Sequence, residues 1–141
     1  VSVLWPESRA STRRILSGTS TPLLLGNYVY SLNPDGDLVC LEAETGRQIW
    51  NTDRITRPKN ASSACMHLTV NGGSVFIYNE AGELILARLS PQGYEETSRT
   101  TLLEPSYPFG GRKLTWAAPS FANRRVYARN EREIICVSLR E

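Results

Sequence analysis

One histidine, three aspartates and three cysteines are the groups from which this 141-residue chain would build a metal site or a catalytic set. His67 stands in Met66-His67-Leu68-Thr69, an inner-strand pattern. Zinc usually takes several His or Cys ligands, and a single histidine supplies no pair. A hydroxyl nucleophile would depend on this same imidazole for its base. A structural or channel-lining histidine is the simpler reading. Asp35 and Asp37 flank Gly36 in Asn33-Pro34-Asp35-Gly36-Asp37, which superficially suggests a calcium loop. Such a loop needs further oxygen ligands and a bidentate Glu at fixed spacing, and these are missing. Pro presets φ and Gly takes positive φ without steric cost, so a β-turn is the better reading. Asp53 also falls in a loop. No catalytic residue and no metal ligand is assigned.

Two further stretches could bind without catalysing. Gly110-Gly111-Arg112-Lys113 puts backbone amides beside two cations, as an anion site would. It lacks the Ser/Thr and the helix of a phosphate loop and is read as a loop at a sheet entrance. Around it cluster Tyr107, Phe109 and Trp116, either packed under a long loop or available to a partner. Tyr107, Phe109, Arg112 and Trp116 are therefore the candidate contact residues for a ligand or partner. Asn60-Ala61-Ser62 fits a glycosylation acceptor, a pattern short enough to occur by chance.

Net charge is only +2, and the basic residues are scattered apart from pairs such as Arg13-Arg14 and Arg124-Arg125. A solvated surface is expected, not a nucleic-acid face. No apolar run approaches the roughly 18–20 residues of a membrane-spanning helix. No signal peptide is visible, and the sequence opens at Val1 without a Met, so removed upstream sequence is expected. Cys40 and Cys136 sit in apolar strand patterns, where Cys acts as a small buried hydrophobe. Cys65 falls in a loop or at a strand start. Three free thiols are expected.

These residues must be placed by strands. Pro22 to Trp50 reads as four short strands joined by tight turns: Leu23–Leu25, Tyr28–Leu32, Leu38–Leu41 and Arg47–Trp50. The pattern returns. Tyr30 and Gly36 to Leu41 match Phe76 and Gly82 to Ala87, 46 residues on. Val126-Tyr127 and Glu133 to Leu139 match again about 50 residues later, with a turn one residue shorter. Cys40, Leu86 and Cys136 are then equivalent, as are Ala43, Leu89 and Leu139. Val3-Leu4-Trp5 repeats the later Gln48-Ile49-Trp50.

The chain thus divides into 1–5, the outer strand of a preceding unit; 22–52, a complete unit; 65–103, a second; and 116–139, a third that stops after three strands. Polar or Pro/Gly-rich connectors fill 6–21, 53–63 and 104–115. No segment carries apolar residues at helical spacing. The expected fold is all-β, a β-propeller with about three blades of four antiparallel strands. Four-stranded repeats of about 40–50 residues are its signature. A blade cannot bury both faces alone, so neighbours must stack.

Ala43-Glu44-Thr45-Gly46-Arg47-Gln48-Ile49-Trp50 resembles the tryptophan-docking motif of pyrroloquinoline-quinone-like (PQQ-like) propeller repeats, of the BamB and quinoprotein types. The resemblance implies that the Trp50 ring packs against a neighbouring blade. Gly46 would supply the turn and Ala43 the small contact. Unit two departs from the pattern, with Thr97 at the Trp position and Tyr94 filling part of the space. The resemblance also implies the carboxyl-terminal part of a longer propeller.

Propellers close with about four to eight blades. Three blades therefore call for the rest of a longer chain, or for copies that assemble, such as two chains giving six blades with residues 1–5 completing a partner's last unit. The function expected from the resemblance is a non-enzymatic binding or scaffold module of the bacterial periplasm or cell envelope, acting on protein partners through its inter-blade loops. The alternative is part of a quinoprotein dehydrogenase, with PQQ and calcium held mostly by blades outside this sequence. No cofactor is assigned to this segment.

Overall fold

A computed structural model describes residues 2–5, 15–56 and 64–140. The Arg13-Arg14 pair and Asn60-Ala61-Ser62 lie outside the described residues. Among the described residues thirteen strands carry the fold, with helix only at Ile15. Sheet one is β1 (Leu23–Leu25), β2 (Tyr28–Leu32), β3 (Leu38–Glu42) and β4 (Gln48–Thr52), in that order. Sheet two is β5 (Met66–Asn71), β6 (Ser74–Asn79), β7 (Glu83–Ser90) and β8 (Gly93–Thr101). A two-stranded hairpin follows, β9 (Tyr107–Phe109) and β10 (Arg112–Leu114). Sheet three holds β11 (Ser120–Ala122), β12 (Arg125–Arg129) and β13 (Ile134–Ser138). Every pairing is antiparallel between sequence neighbours. This is the partial propeller expected from the repeats.

The sheets stack because each strand's alternate residues have somewhere apolar to go. Tyr30, Leu32, Leu38 and Cys40 of sheet one meet Val75, Ile77, Ile85 and Ala87 of sheet two in one core, closed by Ile55 and Met66. The intervening residues of sheet two, Tyr78 and Leu84, face the other way and meet Val126 and Ala128 of sheet three. Phe76 stacks on Phe121 there, ring centroids 4.9 Å apart. Sheet two is therefore apolar on both faces, which is why β6 and β7 read as continuous hydrophobic runs. Each fully buried Ile or Leu in such a face contributes about 1.5–3 kcal/mol.

One repeated residue ties turns to connectors. In each sheet an Asn opens the turn between the second and third strands and caps it with its side-chain oxygen. Asn33 Oδ1 accepts from the amides of Asp35 and Asp37, Asn79 Oδ1 from Ala81 and Glu83, and Asn130 Oδ1 from Arg132 and Glu133. The amide nitrogens of two of them reach the preceding connector, Asn79 to Ile55 O and Asn130 to Glu104 O. An Asx turn satisfies the backbone locally, and the remaining donors link consecutive repeats.

Four expectations need correction. Residues 2–5 form no strand: a strand requires a hydrogen-bonded neighbour, and none lies beside them among the described residues. The 104–115 segment is not a plain loop, because Gly110 and Gly111, at φ 58° and 79°, make a two-residue turn that pairs Tyr107–Phe109 with Arg112–Leu114. Positive φ at both positions matches the right-handed twist of a hairpin. Cys136 is exposed while Cys40 and Cys65 are buried, since nothing among the described residues covers the outer side of β13. All three thiols are free. Last, Ser98 and not Thr97 is the counterpart of Trp50. Cys40 pairs with Trp50 and Leu86 with Ser98, and in both ladders a bulge leaves the next residue, Ile49 or Thr97, unpaired. β7 runs on to Ser90, so its turn comes later.

Candidate functional site

The side chains with the most chemical character gather where connectors enter the sheets. Cys65 precedes β5 and His67 lies on it. The Cys65 thiol donates to Thr19 O at 3.2 Å and lies 3.5 Å from His67 Nε2. His67 Nε2 is also 3.1 Å from Trp116 O, at the approach to sheet three. Thr19 Oγ1 donates to Ala64 O, and Ser20 Oγ accepts from Met66 N. The entry segments of consecutive sheets are thus laced together, and His67 is one of the ties. Burial pushes the Cys65 thiol up to about 11, with the nearby Glu80 charge acting the same way. A thiol held protonated at neutral pH is a poor nucleophile.

Glu80 is the most unusual residue here, a carboxylate with only 1% of its surface exposed. Its Oε1 pairs with Arg112 Nη1 at 3.3 Å, and its Oε2 accepts from Cys65 N. Its backbone bonds both to Cys65 O and to Thr115 N. Glu80 therefore fastens the β9–β10 hairpin to the root of β5. Arg112, on the hairpin, is engaged with this buried carboxylate, so the Gly-Gly-Arg-Lys stretch is a tethered turn and not an anion cradle. Desolvation raises the Glu80 carboxyl above its ordinary 4.5, against the lowering effect of Arg112. A raised carboxyl binds its proton more tightly folded than unfolded, so its contribution to stability is complete below the unfolded value and declines as pH rises through the folded one. Accordingly, the stability of the wild type relative to Glu80→Gln should fall as pH is raised from 4 to 7, in urea titrations of both. A difference that is flat or rises with pH would show that the carboxylate is not held in a desolvated place.

The aromatic candidates come together. Trp116 receives Tyr107 at 6.4 Å and Phe109 at 5.6 Å, both edge-on. Tyr107 and Phe109 lie on one face of β9, two residues apart, and remain 41% and 46% exposed. Trp116 is the half-buried base beneath them. Edge-to-face pairs of this kind hold rings in place and contribute roughly 0.5–1.5 kcal/mol each. The result is a hairpin carrying two outward rings on a fixed seat.

Ala43, Gly46 and Trp50 occupy two different contacts. The Trp50 indole leaves sheet one, donates to Ser90 O of sheet two at 2.9 Å, and tilts against Tyr30 at 6.0 Å. Ala43 and Gly46 instead meet Trp5. The Trp5 indole donates to Ala43 O at 2.7 Å, and a Cβ on Gly46 would fall 2.6 Å from its ring. The Asn residues that cap the turns, and Glu80, were not singled out from the sequence. The recurrence of Asn33, Asn79 and Asn130 at equivalent places is a signal that could have found the first; burial of Glu80 depends on a hairpin distant in sequence.

A family profile described as outer membrane protein assembly factor BamB matches residues 2–141. The chain belongs to this family of PQQ-repeat propellers. Among solved structures it is similar to BamB from Moraxella catarrhalis, with a TM-score of 0.55 at 18% identity over 86% of this chain and 31% of that one. It is also similar to the quinohemoprotein alcohol dehydrogenase ADHIIG from Pseudomonas putida HK5, with a TM-score of 0.50 at 17% identity over 77% and 16% of the two chains. The quinohemoprotein alcohol dehydrogenase from Comamonas testosteroni gives 0.50 at 16% over 82% and 18%. The chain therefore spans about a third of the BamB structure and less of the dehydrogenases. A search of curated proteins found no match.

The PQQ-repeat fold raises the question of a quinone and calcium. Among the described residues no three His, Cys, Asp or Glu side chains converge as a metal site would require. Asp37 accepts from Asn51 Nδ2 at 2.8 Å, and Glu80 is committed to Arg112 and Cys65. No helix among the described residues is long and apolar enough to cross a membrane.

Proposed function

We propose that this chain is a binding and scaffold segment of a BamB-family propeller, working in the cell envelope on protein partners and presenting the β9–β10 hairpin to them. The observation that carries this reading is the pair of half-exposed rings, Tyr107 and Phe109, seated on Trp116 and tethered through Arg112 to buried Glu80. Exposed aromatics on a preorganised support are the residue types that dominate protein interfaces, because little side-chain entropy is lost on binding. Membership in the BamB family supports a role in outer membrane protein assembly. In the same reading Trp5 and Trp50 act as docks between consecutive sheets and keep the connectors in place.

Tyr107→Ala with Phe109→Ala should weaken capture of envelope partners at least tenfold, with the thermal midpoint lowered by several degrees for the two lost ring pairs and a cooperative transition retained. Quantitative pull-down from envelope extract, paired with thermal denaturation, makes the measurement. Undiminished capture by the double variant would remove the hairpin from the binding surface. A titration with pyrroloquinoline quinone plus calcium separates the quinoprotein alternative: saturable binding to this chain would support that reading over the scaffold.

A further inference from the structure

The β9–β10 hairpin is paired with neither neighbouring sheet; among the described residues it forms a two-stranded sheet of its own. It is held instead through side chains and single backbone bonds, and Glu80 is at the centre of them. Arg112 on β10 meets the Glu80 carboxylate, and Thr115 N, just past β10, donates to Glu80 O at 2.8 Å. The other carboxylate oxygen accepts from Cys65 N at 3.4 Å, so one buried side chain spans the hairpin and the root of β5. On either side of it the hairpin is tied by Ser106 Oγ, which donates to Glu131, and by Trp116 O, which faces His67 Nε2. Two buried hydroxyls at this seat, Tyr78 Oη and Thr115 Oγ1, lack a well-formed hydrogen bond. A seat with unmet polar groups is a weak hold. Neither core cluster includes a hairpin residue, so the stacking of the sheets does not depend on it.

We infer that Glu80 is an acid-operated latch: with its carboxylate charged the hairpin is seated on the root of β5, and with a proton on it the hairpin lifts away while the sheets stay stacked. The proton comes from solvent and neutralises the carboxylate, so Arg112 loses that partner charge. Burial supplies the drive, because a carboxylate only 1% exposed stays charged against its cost of desolvation. That cost raises the carboxyl above 4.5, which puts the change on the neutral side of an ordinary glutamate. The groups that face Glu80 are Arg112 from β10, Cys65 from the approach to β5 and, across the Cys65 thiol, His67. On its own turn Glu83 is taken by Arg99 and Asn79. Glu131 holds the hairpin through Ser106 instead. Protonating His67 keeps a hydrogen on Nε2, so its bond to Trp116 O survives in acid. Tyr107 and Phe109 ride on the hairpin, so contacts made through them become pH-dependent, a consequence that rests on the reading of the hairpin as a contact surface.

The three free thiols report the latch in the intact chain. Cys65 lies under it, Cys136 is exposed, and Cys40 is buried between sheets one and two. A pyridyl disulfide reacts with thiols in acid as at neutral pH, and peptide mass spectrometry resolves the three rates. Dividing the Cys65 rate by that of Cys136 removes the dependence of the reagent itself on pH. The ratio should rise at least tenfold as pH falls from about 7.5 to about 4.5, with Cys40 protected throughout. Glu80→Gln, its fold verified by far-UV circular dichroism, should show the raised ratio already at neutral pH and no further change in acid. Glu131→Gln should titrate like the wild type. A flat wild-type ratio overturns the inference. So does a rise that Glu80→Gln reproduces with the same pH dependence, or one that Glu131→Gln abolishes. Cys40 opening in step with Cys65 would mean general acid unfolding and would overturn it as well. None of these readouts involves a partner, so the latch and the contact surface fail separately.

Discussion

Trp50→Ala is expected to lower the stability of the chain by about 3–5 kcal/mol, read as a shift in urea midpoint at unchanged slope. Two losses combine. The indole fills the outer end of the interface between sheets one and two, against Tyr30, and its removal leaves a gap the sheets cannot close without sliding. Its N–H also satisfies Ser90 O at 2.9 Å, and that carbonyl would be left to find water. Trp50→Phe separates the two, since it keeps most of the apolar area and drops the donor. That variant should cost about 1 kcal/mol for the bond. A change below about 1 kcal/mol for Trp50→Ala would mean that the ring does not hold the sheets together.

Gly82→Ala should be as damaging, for a different reason. Gly82 sits at φ 74°, and a Cβ there would lie 2.0 Å from the backbone oxygen of Leu103. Left-handed backbone costs a residue with a side chain roughly 1–2 kcal/mol. The close approach adds to this. Gly82 O accepts from Leu102 N at 2.9 Å and Leu103 N at 3.4 Å, where the connector leaves sheet two. A methyl group must push that connector away and break both bonds, for a total of at least about 3 kcal/mol. Gly72→Ala is the control, with φ 59° and nothing within 4 Å of its Cβ, so only the backbone term applies. Equal unfolding costs for the two variants would show that the connector is not anchored at Gly82.

The two substitutions probe different levels of the same architecture. Trp50 bridges sheets one and two, while Gly82 lets a connector pass close over a turn. Both matter because no single sheet buries enough surface to stand alone. Glu80 belongs to the same logic, as a carboxylate placed where a hairpin and a strand root must be joined. Its cost of desolvation is reduced, though not cancelled, by the Arg112 charge and by backbone donors.

Repetition is what made the fold legible. Strand length, turn residues and apolar runs recur in the chain, and the recurrences in 22–52, 65–103 and 116–139 fall on strands, because turn chemistry and pleat period are local properties. Local reading fails at the hairpin, where Gly110-Gly111 between Tyr-Pro-Phe and Arg-Lys-Leu has the composition of a loop. A Pro inside the first strand hid it, although Pro108 is tolerated at an edge. It fails again at Thr97, where two added residues between the paired positions made Ser98 the partner of Leu86 with the bulge in the same place.

The site was legible only as a list. Tyr107, Phe109, Arg112 and Trp116 were visible as neighbours in sequence, and composition showed that a histidine-rich metal site was out of reach. What each does was decided in three dimensions. Arg112 turned toward a carboxylate 32 residues upstream, Trp116 became the seat of two rings, and Ala43 and Gly46 received Trp5, with Gly46 at φ 70° making the turn before Trp50. By itself the sequence determined the strands, their turns and their repetition, because φ preferences and side-chain alternation act over a few residues. Which faces met and which carboxylate was buried were decided only by stacking, since those depend on groups that the chain brings together from distant repeats.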